Sequence, residues 1–589
     1  IAIVQDELDR QLHVLQRAEL IREAARVPEL EYMFKHALTQ EAAYSTILLR
    51  QRREFHRQAG EALENLFPER GEEFASLLAH HFGEANDPRA VRYEMRAGDA
   101  AFRLFAIPEA LGHYTRAAHH FQQHHGAGIA HDQVQHLFLR LGRCYELQNE
   151  FDRVLEVYQH LMDLSQEREN PRLELAALQA MGVFLAIPTP VRDPEKAQQI
   201  ADRALGLARE FGDRKAEAKI HWMFMLVRMY SGRMVEAIPF GERCAALARE
   251  FQLQEELTFA LQDLSLAYMG VGDLEKAHQT LMEARDLWQI SGNLPMLAEN
   301  RANLVFERAL RGYFAEAIAL AEESIRLSEK AANLWGQGNG RVFAGLVPLA
   351  QGNVDRAIET LDIGISIMQE AGHPGGILAW VQKAWVYASL GEFETAHALA
   401  EQAMKISTSF IPFYPIALGI FARVKLDWGR VEEAEDILAE AKKYPLRTLL
   451  IIDLVVQLAS IKLVLMKKDW EEAARQLDKM EALVTHSGAV YFAPELGWLK
   501  AKLAHAEGRV DEAVSLLGEA CQIAVKLGAM NFLWPLQVFL GRIERERGHL
   551  EEAHRHMELA RNTVQGIAMH IADSALKTRF LNWVEMQME

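Results

Sequence analysis

Apolar residues recur at helical spacing along nearly the whole chain, and one short phrase, Gly-x-apolar-x-x-Ala, punctuates them at regular intervals. It reads GRMVEA ending at Ala237, GDLEKA at Ala277, GYFAEA at Ala317, GNVDRA at Ala357, GEFETA at Ala396, GRVEEA at Ala434, GRVDEA at Ala513 and GHLEEA at Ala553. KDWEEA at Ala473 fills the one gap, with Asp469 read in place of glycine, and the alanines then stand 40, 40, 40, 39, 38, 39, 40 and 40 residues apart. A looser register continues upstream through DPEKA at Ala197, NEFDRV at Val154 and IPEA at Ala110, giving about twelve units between about residues 90 and 565.

Each unit predicts a helical hairpin. The glycine closes the first helix, because a left-handed residue costs least without a Cβ, and the Asp, Glu or Asn after it starts the second with a favourable charge. The alanine lets the two helices approach closely, and a second small residue seven positions on, as at Ala284, Ala403, Ala441, Ala520 and Ala560, does the same for the next hairpin. Such hairpins cannot bury their apolar faces alone. The predicted fold is therefore all-α, a right-handed superhelical solenoid of about 12 hairpins with a period of about 40 residues and a concave groove lined by the first helices.

The opening residues break this pattern. Residues 6–20 carry Leu8, Leu12, Leu15 and Leu20 on one helical face, and two short extended stretches follow, around Leu20–Ala25 and Leu30–Phe34, separated by RVPE. A helix with a hairpin behind it reads as the second half of a winged helix, whose first helices would precede Ile1; a first residue other than Met fits a chain that starts inside a longer protein. The expected organisation is a winged-helix remnant and connecting helix over 1–58, a helical adapter with the first repeat over 59–125, the superhelix over 126–570 and a capping helix over 571–589.

Composition narrows the partners. The 64 Lys and Arg against 82 Asp and Glu leave 64 − 82 = −18, which argues against a general nucleic-acid surface. Cys144, Cys244 and Cys521 stand alone, so a reducing cytoplasmic location is expected, and no apolar run is long enough for a membrane span.

The unit hinged at Gly391, with Trp380, Ala384, Tyr387, Ala396 and Ala403 at the large, small, aromatic, small and small positions, resembles the tetratricopeptide repeat, and LSLAYMGVGDLEKA (264–277) nearly as well. The longer period resembles the sensor superhelix of the maltose-regulon activator and its relatives. The segment from Phe34, with His36, Ala37, Leu38, Gln40, Glu41, Ala43, Tyr44, Arg52, Arg53 and His56, resembles the junction that follows the nucleotide-binding core in STAND-type signalling ATPases, including those fused to class III nucleotide cyclases. That resemblance implies a sensor and regulatory region controlling an ATPase or cyclase upstream of Ile1, with ATP and Mg confined to that module. A free-standing repeat scaffold that assembles proteins is the alternative. This chain contains no G-x-x-x-x-G-K-[ST] phosphate loop and no paired carboxylate or nucleophile–base set, so no catalytic residue, cofactor or metal ligand is assigned to it.

Candidate ligand contacts fall on groove-facing positions of the first helices: Lys219, Trp222, Phe259, Gln262, Glu299, Asn303, Asn339 and Trp385. Rings that bury area beside amides that fix orientation suit a protein or peptide partner or a small polar inducer. His36, Arg50, Arg52, Arg53 and Arg57 are assigned to contact with the upstream module or with carboxylates such as Glu61 and Glu64, in preference to DNA. The histidine-rich stretch with His119, His120, His124, His125, His131 and His136 reads as a solvated helix end rather than a zinc site. The glycine-rich WGQGNGR (335–341) reads as a turn between repeats, not a phosphate cradle.

Overall fold

A computed structural model describes residues 5–25, 31–126, 128–444 and 449–589. It is almost entirely helical, with one antiparallel two-stranded sheet near the start. The chain divides into two compact units, 1–164 and 165–589.

The first unit opens with α1 (Gln5–Arg17), β1 (Ile21–Ala25) and β2 (Glu31–Phe34), the strands pairing Ile21 with Phe34 and Glu23 with Tyr32. The RVPE link lies outside the described residues. The first helix stops three residues earlier than the apolar pattern suggests, because Glu19 takes a left-handed φ of +57° and Leu20 N turns back to donate to Leu15 O. Then follow α2 (Ala37–Thr46), α3 (Leu49–Leu66), α4 (Ala75–Glu84), α5 (Arg89–Arg103), α6 (Ile107–Gln123), α7 (His131–Leu147) and α8 (Phe151–Glu167), which runs into the second unit. Phe82 on α4 is wholly buried and stacks 5.5 Å from Tyr93 of α5. Gly60 of α3 faces that ring so closely that a Cβ would sit 2.8 Å from it, which locks α3 against α4.

The second unit is the hairpin array. Hinge glycines such as Gly272 and Gly352 adopt φ of +86° and +74°, where a Cβ would be strained, and the alanine five residues after each is completely buried. The 468–473 hinge corrects one reading. Lys468, not Asp469, occupies the glycine position with φ +62°, while the Asp469 side chain accepts from Glu472 N and caps the next helix. Asp193 and Asp273 cap in the same way, but the residues at several other hinges, among them Asn353 and Glu392, make no side-chain cap bond. At those hinges the glycine turn and the buried alanine set the hairpin.

WGQGNGR is not a turn. It lies inside helix Leu334–Ala344, where a Cβ on Gly338 would stand 2.6 Å from Met368 Cε and one on Gly340 would stand 3.1 Å from Ser324 Oγ. These glycines are there for close helix packing.

The array also meets itself. Gly272 faces Ser487, Gly312 faces Leu527 and Gly352 faces Ile567, and the differences 487 − 272, 527 − 312 and 567 − 352 all equal 215. At the 40-residue period found in the sequence this is about 5.4 hairpins. The seam is polar as well as apolar. Asp355 N donates to His570 O at 3.1 Å, Ala572 N donates back to Asp355 Oδ2 at 2.9 Å, and the wholly buried Tyr491 hydroxyl donates to Leu346 O at 3.1 Å. Helix Ser574–Met588 closes the end, setting Trp583 5.5 Å from Trp534 and against Gly391, with Arg579 paired to Glu392.

Two substitutions weigh this seam. Tyr491→Phe removes the bond to the Leu346 carbonyl and should cost about 1 kcal/mol. Tyr491→Ala also opens a cavity and should cost about 3–5 kcal/mol. Urea denaturation measures both; equal, negligible losses would mean that the seam carries no stability.

Candidate functional site

The first helices of the early hairpins carry a continuous band of aromatic, amide and acidic side chains. Trp222 sits on helix Arg214–Met229, Phe259 and Asp263 on Gln254–Val271, and Glu299 and Asn303 on Leu294–Leu310. The Trp222 indole N–H donates to Asp263 Oδ2 at 2.6 Å. Phe259 bridges the rings, 5.3 Å from Trp222 and 4.9 Å, edge-on, from the buried Trp288. Burial pushes the Asp263 carboxyl up to about 7; the indole bond opposes the shift and the Glu299 charge adds to it. Tyr230 shares this environment, its hydroxyl pushed well up by burial and then by Asp263 and Glu299. Lys219, Trp222, Phe259 and Glu299 are all half-buried, so the band is open at its surface.

Beneath it lie buried amides. Asn300 Nδ2 donates to Gln262 Oε1 at 2.9 Å and to Leu281 O at 3.0 Å, tying two hairpins together. Gln262 Nε2 and Asn303 Nδ2 have no partner among the described residues. The sequence reading placed all three Gln262, Asn303 and Trp385 on a groove wall; instead Gln262 is 1 % and Asn303 3 % exposed. Trp385 belongs to the packed interior, 5 % exposed, stacked 6.3 Å from Phe492, edge-on to Tyr491 and Phe532, and covered by the Arg423 guanidinium at 4.4 Å. Arg423 is itself held by the buried Glu495 at 2.8 Å. The later turn of the array thus occupies the face where Trp385 stands. Asn339 is half-buried, its Oδ1 beside Gly375.

A second feature went unread in the sequence. A cleft of about 430 Å³ opens between helices Leu274–Ser291 and Phe314–Lys330, with Arg301 and Arg308 of Leu294–Leu310 in its wall. Arg308 Nε lies 2.7 Å from the fully buried Glu307 and its Nη2 lies 2.5 Å from His278 Nδ1, while Arg301 Nε lies 2.9 Å from Glu323. The two arginines, seven residues apart on one helix, were the available signal. Their charges are matched within the cleft, which leaves the open band as the better candidate.

The arginines near the start divide. Arg52 donates to Ile47 O at 2.7 Å and Ser45 O at 2.8 Å and lies over the Tyr44 ring, so it fastens the end of α2. Arg57 pairs with Glu54 at 2.8 Å and Glu61 at 3.4 Å. Glu64 goes instead to Arg89, at 3.0 Å. His36, Arg50 and Arg53 are exposed. Of the histidine-rich stretch, His136 binds Asp99 at 2.8 Å. The three cysteines are free, and burial pushes the Cys144 and Cys244 thiols up to about 12 and the Cys521 thiol up to about 11, so none is a ready thiolate. No helix among the described residues is long and apolar enough to cross a membrane.

Asp263 gives the band a pH signature. An unfolded Asp titrates near 4, so between about 4 and 7 the folded chain holds the extra proton. The resulting stability is present below about 4 and is lost as pH rises through about 7. Asp263→Asn should flatten this slope, and Trp222→Phe, which removes the opposing bond, should move the midpoint upward. Urea midpoints across this range check both; a parent chain whose stability is level from 4 to 7 would refute the assignment.

Residues 137–172 and 377–410 match models of the tetratricopeptide repeat. None of the curated proteins matches the chain. Among solved structures, the chain is similar to the crystal structure of the APC/C hetero-tetramer Cut9-Hcn1, with 13% identity over 84% of this chain and 92% of that one and a TM-score of 0.48. It is also similar to a Rap protein complexed with competence and sporulation factor, with 10% identity over 67% of this chain and 98% of that one and a TM-score of 0.45.

Proposed function

We propose that this chain is a protein-interaction region whose early hairpins receive a peptide segment of a partner, and that it serves as the sensor and regulatory part of a STAND-type signalling ATPase. The observation that supports it is the half-buried band of Trp222, Phe259, Asp263 and Glu299, with rings to cover apolar side chains and carboxyls to orient a polar backbone or side chain. Catalysis is assigned to no residue of this chain; ATP and Mg would belong to a module preceding Ile1. The wing-like β1–β2 hairpin, the connecting α2 and the exposed Arg50 and Arg53 would carry the signal to that module. A small-molecule inducer held by the same band is the other ligand this site could take.

The repeat-scaffold alternative differs at the coding sequence upstream of Ile1. A phosphate-loop module there supports the ATPase reading, and its absence leaves the scaffold. The binding site is tested separately by selecting peptides against the full chain and titrating them by calorimetry. Phe259→Ala and Glu299→Gln should each weaken binding by about tenfold or more. Peptides that bind both variants as tightly as the parent chain would place the interface elsewhere.

A further inference from the structure

Three histidines converge where α3 crosses α4. His56, on α3, and the consecutive His80 and His81, on α4, each bring a ring nitrogen within 4.8 Å of the other two, and among the described residues this is the group of metal-ligating side chains that does so. Two of the nitrogens are closer still, His56 Nδ1 lying 2.9 Å from His81 Nδ1. A tetrahedral zinc with Zn–N bonds of about 2.0–2.1 Å separates its nitrogen ligands by about 3.3 Å. The pair is thus within a few tenths of an ångström of the ligand spacing before any ring moves.

The surroundings favour ligation by these particular atoms. Tyr44 OH lies 3.0 Å from His56 Nε2 and, as donor, 3.5 Å from Glu84 Oε2. With the hydroxyl proton directed to the carboxylate, the hydroxyl oxygen accepts from Nε2–H, and the His56 lone pair is then on Nδ1, facing His81. A zinc-ligating imidazole usually donates its other N–H to an outer partner that fixes its tautomer, and Tyr44, with Glu84 behind it, fills that place here. His80 is exposed, so a cation can enter from solvent without opening the packing.

We propose that His56, His80 and His81 form a binding site for one zinc-class divalent cation, with water in the fourth position. The cation takes the place of the His56–His81 hydrogen bond, the His81 Nδ1 proton moving to Nε2 of the same ring, and joins α3 to α4 beside the packing of Gly60 and Leu63 against the α4 core. Three imidazoles and no hard oxygen ligand select zinc, and cobalt as its spectroscopic substitute, over magnesium or calcium.

The test uses the full chain, stripped with a chelator, titrated with Zn²⁺ by calorimetry and with Co²⁺ by visible absorption. One Zn²⁺ per chain is expected, with Co²⁺ giving the intense visible bands of a four-coordinate site. His80→Ala and His81→Ala should weaken Zn²⁺ binding by more than about 100-fold, and Tyr44→Phe by about 10-fold, the range of an outer partner. His124→Ala should leave binding unchanged. Circular dichroism checks each fold; should His81→Ala misfold, the exposed His80→Ala decides. Absence of stoichiometric binding, or binding that survives His80→Ala while His124→Ala removes it, overturns the site.

Discussion

The second unit is governed by how closely paired helices can lie. A buried alanine after each of these hinges brings the two helices of a hairpin together, and its recurrence fixes the rotation from one hairpin to the next. Because the period is nearly constant, three hinge contacts along the seam recur one hairpin apart, each at a separation of 215 residues. The seam in turn decides what the inner face can do. Where a later turn covers it, Trp385 becomes core; where it does not, Trp222 and Phe259 stay half-buried.

Most of the fold was legible because hairpin formation is local. Glycine, apolar residue and alanine sit within one turn, and their spacing alone predicts the helices, the hinges and the order of the units. The errors arose where local chemistry has two readings. Lys468 adopts a left-handed conformation that glycine normally supplies, and the three glycines at 336, 338 and 340 lie within a helix because Ser324, Ser328 and Met368 press on them.

The candidate site was legible only in part, for a related reason. The repeat register identified which residues stand on the first helices, and Trp222, Phe259 and Glu299 are half-buried there. It could not show that Tyr491, Phe492 and Phe532 would cover Trp385, since that contact spans more than two repeats and has no periodic signature. The His56–His80–His81 convergence is equally non-local: a lone histidine and a pair on different helices become one cluster only after α3 and α4 pack.

In an open stack of repeats each unit answers only to its two neighbours, so the ends fray and damage stays where it falls. The bonds between Asp355 and residues 570–572 add a neighbour five units away. Loss of the terminal hairpin therefore exposes the middle of the array as well as its end, and a segment near residue 350 shares the fate of one near residue 570. The second unit behaves less like a row of beads than like a coil spring whose adjacent turns have been fastened together.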